Sequence, residues 1–536
     1  MTNKHLALVR NIKIGCSFEN SEVLDLKAFE FAKKQIKKAG LSSDTDLQNC
    51  FVYKKSIDAR NRDEIFLVYT VAFPLFILPK RSIKGIDVVE VVSYDDLFVT
   101  SKKIDCRPLV VGFGPSGMFC ALALAKAGLN PIVIERGADV DTRALKVDAY
   151  WKGGTLDTQT NVQFGEGGAG TFSDGKLLTR ISDKMCSFVL SEFVRFGAPE
   201  EIMYLAKPHI GTDNLRKVVK NIRQEIIRLG GTVRFGETLV SVETDLSGNV
   251  ISATLENGEQ IECGSLFLCI GHSARDTVKN LMKCGVQIEP KPFSVGVRIE
   301  HLQKDIDTSL YGSFAGAPSL GVSQYSLSRK YGTRAVYSFC MCPGGVVVAS
   351  ASDNGQIVTN GMSYYARDGV NANSAIAVSV DLSDYGSNVD GAISFQENIE
   401  KKAYSIAGND GAAPIQLLGD FLNGVAVNEP SRILPTYTGK TKVANAHSIF
   451  PSFITENICA GICDFENDIK GFSCSTAVLT FPETRTSSPV KIPRDNNYTA
   501  LGFSNMYPCG EGAGYAGGIT SAAVDGLRAA IAFLKG

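Results

Sequence analysis

Apolar and polar positions change rhythm along the chain, and the changes mark its parts. Ala7 to Ile14 is rich in apolar residues and reads as a strand. Leu26, Phe29, Ala32, Ile36 and Ala39 then recur at helical spacing, with Lys33, Lys34, Lys37 and Lys38 off that stripe or near its end. A helix from Leu26 to Ala39 is expected. Two further apolar runs, Phe51 to Ile57 and Ile65 to Phe73, read as strands. A small α+β domain over residues 1–103 follows, for which a ferredoxin-like sheet is one arrangement. Its role is not readable from these residues, and a packing or partner-binding appendage is the plain reading.

From Arg107 the texture is different. Pro108 to Val111 is a short apolar strand that enters Gly112, Met118 to Ala127 an Ala-rich apolar helix, and Pro131 to Ile134 a second strand. This is βαβ patterning. Residues 182–230 read as helical and close on a helix from Asp213 to Leu229. Leu215, Val218, Val219, Ile222 and Ile226 share its face, with Thr212 or Asp213 as N-cap. Strands are expected at Thr232 to Glu243, Val250 to Leu255 and Ser265 to Ile270. A mixed, strand-rich region follows from about 280 to 484, and a last helix runs from Ser521 to Leu534.

Composition sharpens this division. Glycine makes up 52 of the 536 residues, about 10% against a usual share of roughly 7%. Only Gly15, Gly40 and Gly85 fall in the first 103 positions. The 55 basic and 56 acidic residues balance, which argues against a nucleic-acid surface. The first residues lack the apolar core of a signal peptide. The longest near-apolar run, Ile65 to Pro79, contains Pro74 and is too short to span a bilayer. No membrane partner is expected. The 14 cysteines are spread through a long chain, so buried free thiols and a cytoplasmic location are expected.

Glycine then points to chemistry. Gly112, Phe113, Gly114, Pro115, Ser116 and Gly117 follow a strand and open a helix, and Glu135 ends the next strand 23 residues after Gly112. In that setting Gly112 makes a tight turn, Gly114 lets a pyrophosphate approach the backbone, and Gly117 lets helix and strand pack closely. The pyrophosphate would sit on the helix N-terminus, with Glu135 accepting from both hydroxyls of an adenosine ribose. A second cluster holds Gly165, Gly167, Gly168, Ala169, Gly170, Asp174, Gly175 and Lys176. A third runs from Gly510 and Glu511 through Gly514, Gly517 and Gly518 to Gly526. These three segments hold 14 of the 52 glycines. A simple NAD-dependent dehydrogenase does not need the third. A flavin does: Glu511 suits a ribityl chain, and the helix start at Gly518 to Thr520 suits the pyrimidine edge.

Several strings together resemble a known group. They are RPLVVGFGPSGMFCALALAKAGLNPIVIERG (107–137), FGEGGAGTFSDGKLLTR (164–180), HIGTDNL (209–215), LCIGHSARD (268–276) and KPFSVGVRIEH (291–301). YSFCMCPGG (337–345), NGMSYYARDG (360–369), ETRTSSP (483–489) and YPCGEGAGYAGGITSAAVDG (507–526) complete the set. The chain resembles the uncharacterised FAD-dependent dehydrogenases, also described as NAD(FAD)-utilizing dehydrogenases, which carry a glutathione-reductase-type FAD domain. The resemblance covers roughly residues 100–536. It implies FAD pyrophosphate at Gly112, Gly114 and Gly117, ribose at Glu135, and adenine near Arg136 and the backbone of Leu239 or Val240. It further implies that Gly165 to Gly170 run along the cofactor, that Gly510 and Glu511 serve the ribityl chain, and that Gly518 and Ile519 lie under the flavin. Cys269, Ile270 and Gly271 stand where the superfamily commonly has Ala-Thr-Gly. The Gly is kept and any Thr hydroxyl is not.

Electron flow is less readable. No second strand–GxGxxG–helix unit marks a nicotinamide domain, and no CxxxxC follows the first cluster, which argues against a disulfide-reductase mechanism. Cys340 and Cys342 form a CxC pair, and Cys459 and Cys463 are four apart, but no other ligand spacing accompanies them and no metal is expected. Cys509, beside Gly510, can approach the flavin or simply pack. Asp174 and Lys176 are the candidate catalytic pair, able to move a proton or clamp an acidic substrate, with a mutual ion pair as the alternative. His209 and His272 are candidates of the same standing. Arg485 and Arg494 either bind a phosphate or carboxylate or pair with acids.

The expected fold class is therefore α/β. A Rossmann-like FAD/NAD(P)-binding domain (104–280 and 485–536) is interrupted by a mixed α+β substrate or cap domain (281–484) and preceded by the small α+β domain. The expected function is an FAD-dependent oxidoreductase that transfers hydride between flavin N5 and a small-molecule substrate, or NAD(P)H as a transient donor. A tRNA-modifying flavoprotein and a non-catalytic flavin-dependent sensor or scaffold remain as alternatives.

Overall fold

A computed structural model describes residues 4–102 and 104–536. Residues 1–3, and residue 103 at the expected first boundary, lie outside the described residues. The site is organised by a five-stranded, wholly parallel sheet. Its order is Met506–Pro508, Leu266–Leu268, Leu109–Val111, Ile132–Glu135 and Thr232–Phe235. Leu109, Val110, Val133, Ile134, Leu266, Phe267 and Leu268 are buried, as parallel strands covered on both faces require. The chain leaves this sheet after Leu268 and returns to its edge at Met506.

The helix Pro115–Lys126 crosses from the central strand with Pro at its first turn, where a missing N–H costs nothing. It packs against the C-terminal helix Ile519–Lys535. Glycine sets that approach, since a β-carbon on Gly526 would stand 2.1 Å from the Ser116 carbonyl oxygen. Gly526→Ala is therefore expected to lower the melting temperature of the apoprotein, with overpacking of about 1–3 kcal/mol. An unchanged melting curve would contradict this packing.

A seven-stranded mixed sheet forms the second large layer. Its order is Ser328–Tyr331, Arg334–Cys342, Asn371–Val380, Phe293–Leu302, Val478–Glu483, Ala413–Leu417 and Thr441–Val443. All neighbours are antiparallel except the last pair. The helices Val389–Ile406 and Ser452–Phe465 pack on it. Among the described residues, no helix is long and apolar enough to cross a membrane.

The first hundred residues form an antiparallel sheet in the order Phe51–Asp58, Phe66–Leu75, His5–Gly15, Ile86–Glu90. This is the strand order of a split βαβ sheet, but residues 76–85 contain no second helix. The fourth strand was not anticipated. The helix, Ser21–Lys38, starts before Leu26 and buries Leu24, Ala28, Ala32 and Ile36. Leu26, placed on the apolar stripe by the sequence pattern, is 61% exposed.

Two other expectations change. The run expected as one strand from Thr232 to Glu243 splits at Gly236, whose φ is +75°. Thr232–Phe235 joins the parallel sheet, and Leu239–Thr244 starts a separate antiparallel one. The long helical stretch is two helices, Met185–Arg195 and Thr212–Arg228. The N-cap of the second is Gly211, at φ +79°. Thr212 and Asp213 tie other segments instead: Thr212 Oγ1 donates to the Thr171 carbonyl (2.6 Å), and Asp213 Oδ1 accepts from the Tyr365 N–H (2.9 Å).

Candidate active site

The strand Leu109–Val111 ends at Gly112, which turns with φ +95°. A β-carbon there would stand 2.3 Å from the Cys269 carbonyl oxygen, and one on Gly117 would stand 1.9 Å from the Gly112 carbonyl oxygen. Both positions therefore exclude any side chain. Gly114 differs: a β-carbon there would face Gly168 Cα at 3.6 Å. Glycines of the first and second clusters thus face each other across a narrow gap. Gly114 caps the helix without a side-chain bond, so the first N–H groups are free for an anion.

Glu135 is buried and does more than the sequence indicated. Oε2 accepts from the Phe113 N–H (2.8 Å), and Oε1 accepts from the N–H groups of Gly137 (3.0 Å) and Gly165 (2.9 Å). The carboxylate knots three loops. Of about four acceptor positions on a carboxylate, three are taken, which leaves room for one ribose hydroxyl rather than two.

The second glycine loop is held by Arg143, which sequence reasoning missed. Arg143 is fully buried. Its guanidinium donates to the carbonyls of Asn161 (2.9 Å), Val162 (3.0 Å), Gly165 (3.2 Å) and Glu166 (2.6 Å). Burial draws its pKa down to about 9, with Glu135 and Glu166 opposing, so it stays charged at neutral pH. Nothing in its local sequence distinguishes it from a surface arginine on an amphipathic helix.

These loops wall a cleft of about 330 Å³. At one end Arg136 lies 4.4 Å above the Phe164 ring and donates to Asp276 (2.9 Å) and Thr277 (2.8 Å). Thr238 and Leu239 line that end, whereas Val240 is not among the lining residues. At the other end, a β-carbon on Gly170 would stand 3.1 Å from Ile519 Cγ1. Thr520 Oγ1 donates to the Leu177 carbonyl (2.8 Å), pinning the start of the C-terminal helix to the second loop. Gly518 caps that helix with no side-chain bond. Glu511 and Gly271 also line the cleft. Glu511 Oε1 stands 3.3 Å from His272 Nδ1.

Comparison with known proteins identifies the group this cleft suits. The family model described as FAD-dependent protein, C-terminal domain-like, matches residues 292–486. An uncharacterized protein of Clostridium beijerinckii is 44% identical over 513 residues, which cover 94% of this chain and 95% of that protein. The chain belongs to one family with the Clostridium beijerinckii protein, and its residues 292–486 carry the FAD-dependent C-terminal domain. FAD is its cofactor. Among solved structures, the chain is similar to CtdE in complex with FAD, at 12% identity and a TM-score of 0.32 over 80% of this chain and 84% of that one. It is also similar to a flavoprotein/dehydrogenase from Cytophaga hutchinsonii, at 13% identity and a TM-score of 0.36 over 80% of this chain and 78% of that one.

The residues present fit FAD. Two uncapped helix N-termini open on one cleft, Gly114 and Gly168 present bare backbone to it, and His272 Nε2 is buried on the cleft wall with no protein partner. Not every expected residue reaches the FAD cleft. Phe113, Gly117, Gly165, Gly167 and Gly510 are absent from its lining and support it from behind. Gly510 donates its N–H to Asp525 Oδ2 (2.7 Å), and its β-carbon would meet Ser116 Cβ at 2.7 Å. It packs helix on loop.

The candidate catalytic pair is a buried ion-pair cluster. Asp174 accepts from Lys176 Nζ (2.8 Å) and from Arg367 Nε (2.9 Å) and Nη2. Burial pushes the Asp174 pKa up, but Lys176 and then Arg367 outweigh it and hold the carboxyl well below the ordinary carboxylate range. Lys176 Nζ also donates to the Met341 carbonyl. Both groups are held in ion pairs, the alternative weighed for them. Arg367, the third member, was not foreseen.

The other candidates also find partners. Arg494 pairs with Asp525 (2.6 and 3.0 Å) and lies 3.7 Å from the Tyr515 ring centroid. Arg485 lines the cleft and, with Arg275, surrounds the buried Glu400. Burial would raise the Glu400 pKa, but Arg485 and Arg275 hold it well below its ordinary value. His209 stacks on Tyr365 and hydrogen-bonds its carbonyl (3.1 Å). Cys509 is buried, and burial and then Cys269 push its thiol well above the usual range. Among the described residues, no cluster of three or more His, Cys, Asp or Glu is placed to hold a metal.

Proposed function

We propose that this FAD-dependent protein is an oxidoreductase of the dehydrogenase type, moving hydride between flavin N5 and a small-molecule substrate or NAD(P)H. The observation that carries this reading is the meeting of three glycine clusters, 406 positions apart from Gly112 to Gly518, along one cleft. FAD, when bound, supplies reversible two-electron chemistry at its flavin ring. The chain's residues would bind and orient it. The helix start at Gly114 would take the pyrophosphate, and the remaining acceptor position of Glu135 one ribose hydroxyl. Arg136, Thr238 and Leu239 would flank the adenosine end. Glu511 and His272 would hold the ribityl chain, and the helix start at Gly518 and Ile519 would oppose negative charge on the pyrimidine edge.

On this reading, residues 104–280 and 485–536 form the FAD domain, and residues 281–484 the substrate domain. The seven-stranded sheet brings Phe339, Cys340 and Glu483 to the same cleft, the strand Thr359–Met362 adds Asn360, and Arg485 and Thr486 follow Glu483 there; a small substrate would meet them. A reducing, cytoplasmic setting suits 14 unpaired cysteines.

Anaerobic mixing with NADH or NADPH, followed at the visible flavin band, tests the reading. Bleaching by at least one of them, or by an organic donor, is expected. A flavin that no donor bleaches, and that no acceptor reoxidises after chemical reduction, would contradict an oxidoreductase and favour a sensor.

A further inference from the structure

The strand Arg334–Cys342 loses its regular pairing near its end. Phe339 pairs with Ala375 and Cys342 with Asn373, so the strand carries one extra residue in a bulge. Inside it Cys340 takes φ +45°. For a residue other than glycine this backbone is strained and persists only where surrounding structure imposes it. Bulges of this kind re-aim a side chain, often beside an active site. Here the result is specific: Cys340 lines the FAD cleft, with Lys176, Glu483 and Arg485. Cys342 is fully buried behind it.

The two cysteines are in contact. Cys342 Sγ donates to the Cys340 carbonyl (3.2 Å), which sets its sulfur against the backbone of Cys340. Cations surround the pair. Lys176 Nζ binds the Met341 carbonyl between them, and Arg298 Nη1 donates to the Cys340 carbonyl (3.2 Å). The Cys342 thiol lowers the Cys340 pKa; burial opposes this, and Lys176 and Arg298 reinforce it. The Cys342 thiol is pushed up, first by Cys340 and then by burial. The two shifts run in opposite directions, favouring the thiolate at the cleft-lining Cys340 and the thiol at Cys342, the division that a dithiol needs to close.

We propose that Cys340 and Cys342 are a redox-active dithiol that exchanges two electrons with the flavin by closing and opening a disulfide across Met341. The proposal rests on the flavoprotein reading above and adds a second redox couple to it. In the closing direction one S–S bond forms, the two sulfurs give up two electrons and the Cys342 proton, and the oxidised flavin is the acceptor of both. In the opening direction the reduced flavin returns them, leaving Cys340 as thiolate and Cys342 as thiol. This differs from the CxxxxC arrangement whose absence argued against disulfide chemistry, because the dithiol lies on the opposite sheet and not on the first cofactor helix.

The test uses wild-type, Cys340→Ser and Cys342→Ser holoprotein, each first assayed for bound FAD. Fully oxidised samples are titrated anaerobically with dithionite. Uptake of roughly four electrons per chain is expected for the wild type and roughly two for each variant, since each couple carries two. Mass spectrometry of oxidised wild type should show a peptide internally cross-linked between Cys340 and Cys342. Wild-type protein that binds FAD but takes up only roughly two electrons and lacks the cross-link overturns the proposal and leaves the flavoprotein reading intact. Wild-type protein that holds no FAD overturns both. If a serine variant fails to fold, wild-type uptake and peptide mass still decide.

Discussion

Gly114→Ala protein is expected to fold and to bind FAD roughly 10- to 100-fold more weakly than wild type, the weight of about 1–3 kcal/mol of overpacking. Gly114 has φ −77°, which alanine adopts freely. Its β-carbon would lie 3.6 Å from Gly168 Cα, an ordinary contact. The added methyl group harms nothing in the protein itself but stands at the cleft-lining helix start, where the pyrophosphate would rest. Gly112→Ala is the contrasting control, since φ +95° and a 2.3 Å approach to the Cys269 carbonyl oxygen make it a folding defect. Melting curves of the apoprotein and fluorescence titration with FAD separate the two cases. A Gly114→Ala protein with wild-type FAD affinity would mean that the pyrophosphate does not rest against Gly114.

Asp174→Asn is expected to destabilise the protein by about 3–5 kcal/mol, the range for removing one partner of a buried ion pair. The amide keeps the shape but leaves Lys176 and Arg367 without their counter-charge. Urea denaturation of the apoprotein reads this directly. The folded-state pKa of Asp174 lies below the unfolded one, so the unfolded chain binds more protons in acid. The contribution is complete above about pH 4 and is lost as pH falls through the folded value. Wild type and variant should therefore converge in stability under acid conditions. A variant with wild-type stability at neutral pH, yet inactive, would return Asp174 to a catalytic role.

What could be read from the sequence was local, and what could not was long-range. The βαβ unit from Leu109 to Glu135 was readable because its strand, glycine turn and helix follow one another directly. The convergence of Gly114, Gly168 and Gly518 was readable only as chemistry, because one long cofactor needs all three. Arg367 was not readable, because it meets Asp174 across 193 positions. The same holds for Arg275 and Glu400, 125 apart. A guanidinium that ends buried has the same local pattern as one that ends in water.

The strand break at Gly236 was hidden for another reason. Apolar residues continue across it, so the period carries no sign that the chain changes sheets. Glycine itself has two uses here, which composition cannot separate. Gly114, Gly168 and Gly518 line the cleft, whereas Gly117 and Gly526 let backbone pack on backbone behind it and Gly510 makes room for the Ser116 side chain. Close packing and close approach to a ligand require the same missing β-carbon.

The central claim is that one dinucleotide spans the cleft from Arg136 and Phe164 to Gly518 and Ile519. Calorimetric titration of apoprotein with FAD and, separately, with FMN tests it most directly. FAD should bind stoichiometrically and at least roughly 100-fold more tightly than FMN, since FMN lacks the adenosine half and loses the contacts around Glu135 and Arg136, worth about 3 kcal/mol at that ratio. Equal affinity for the two would contradict the account.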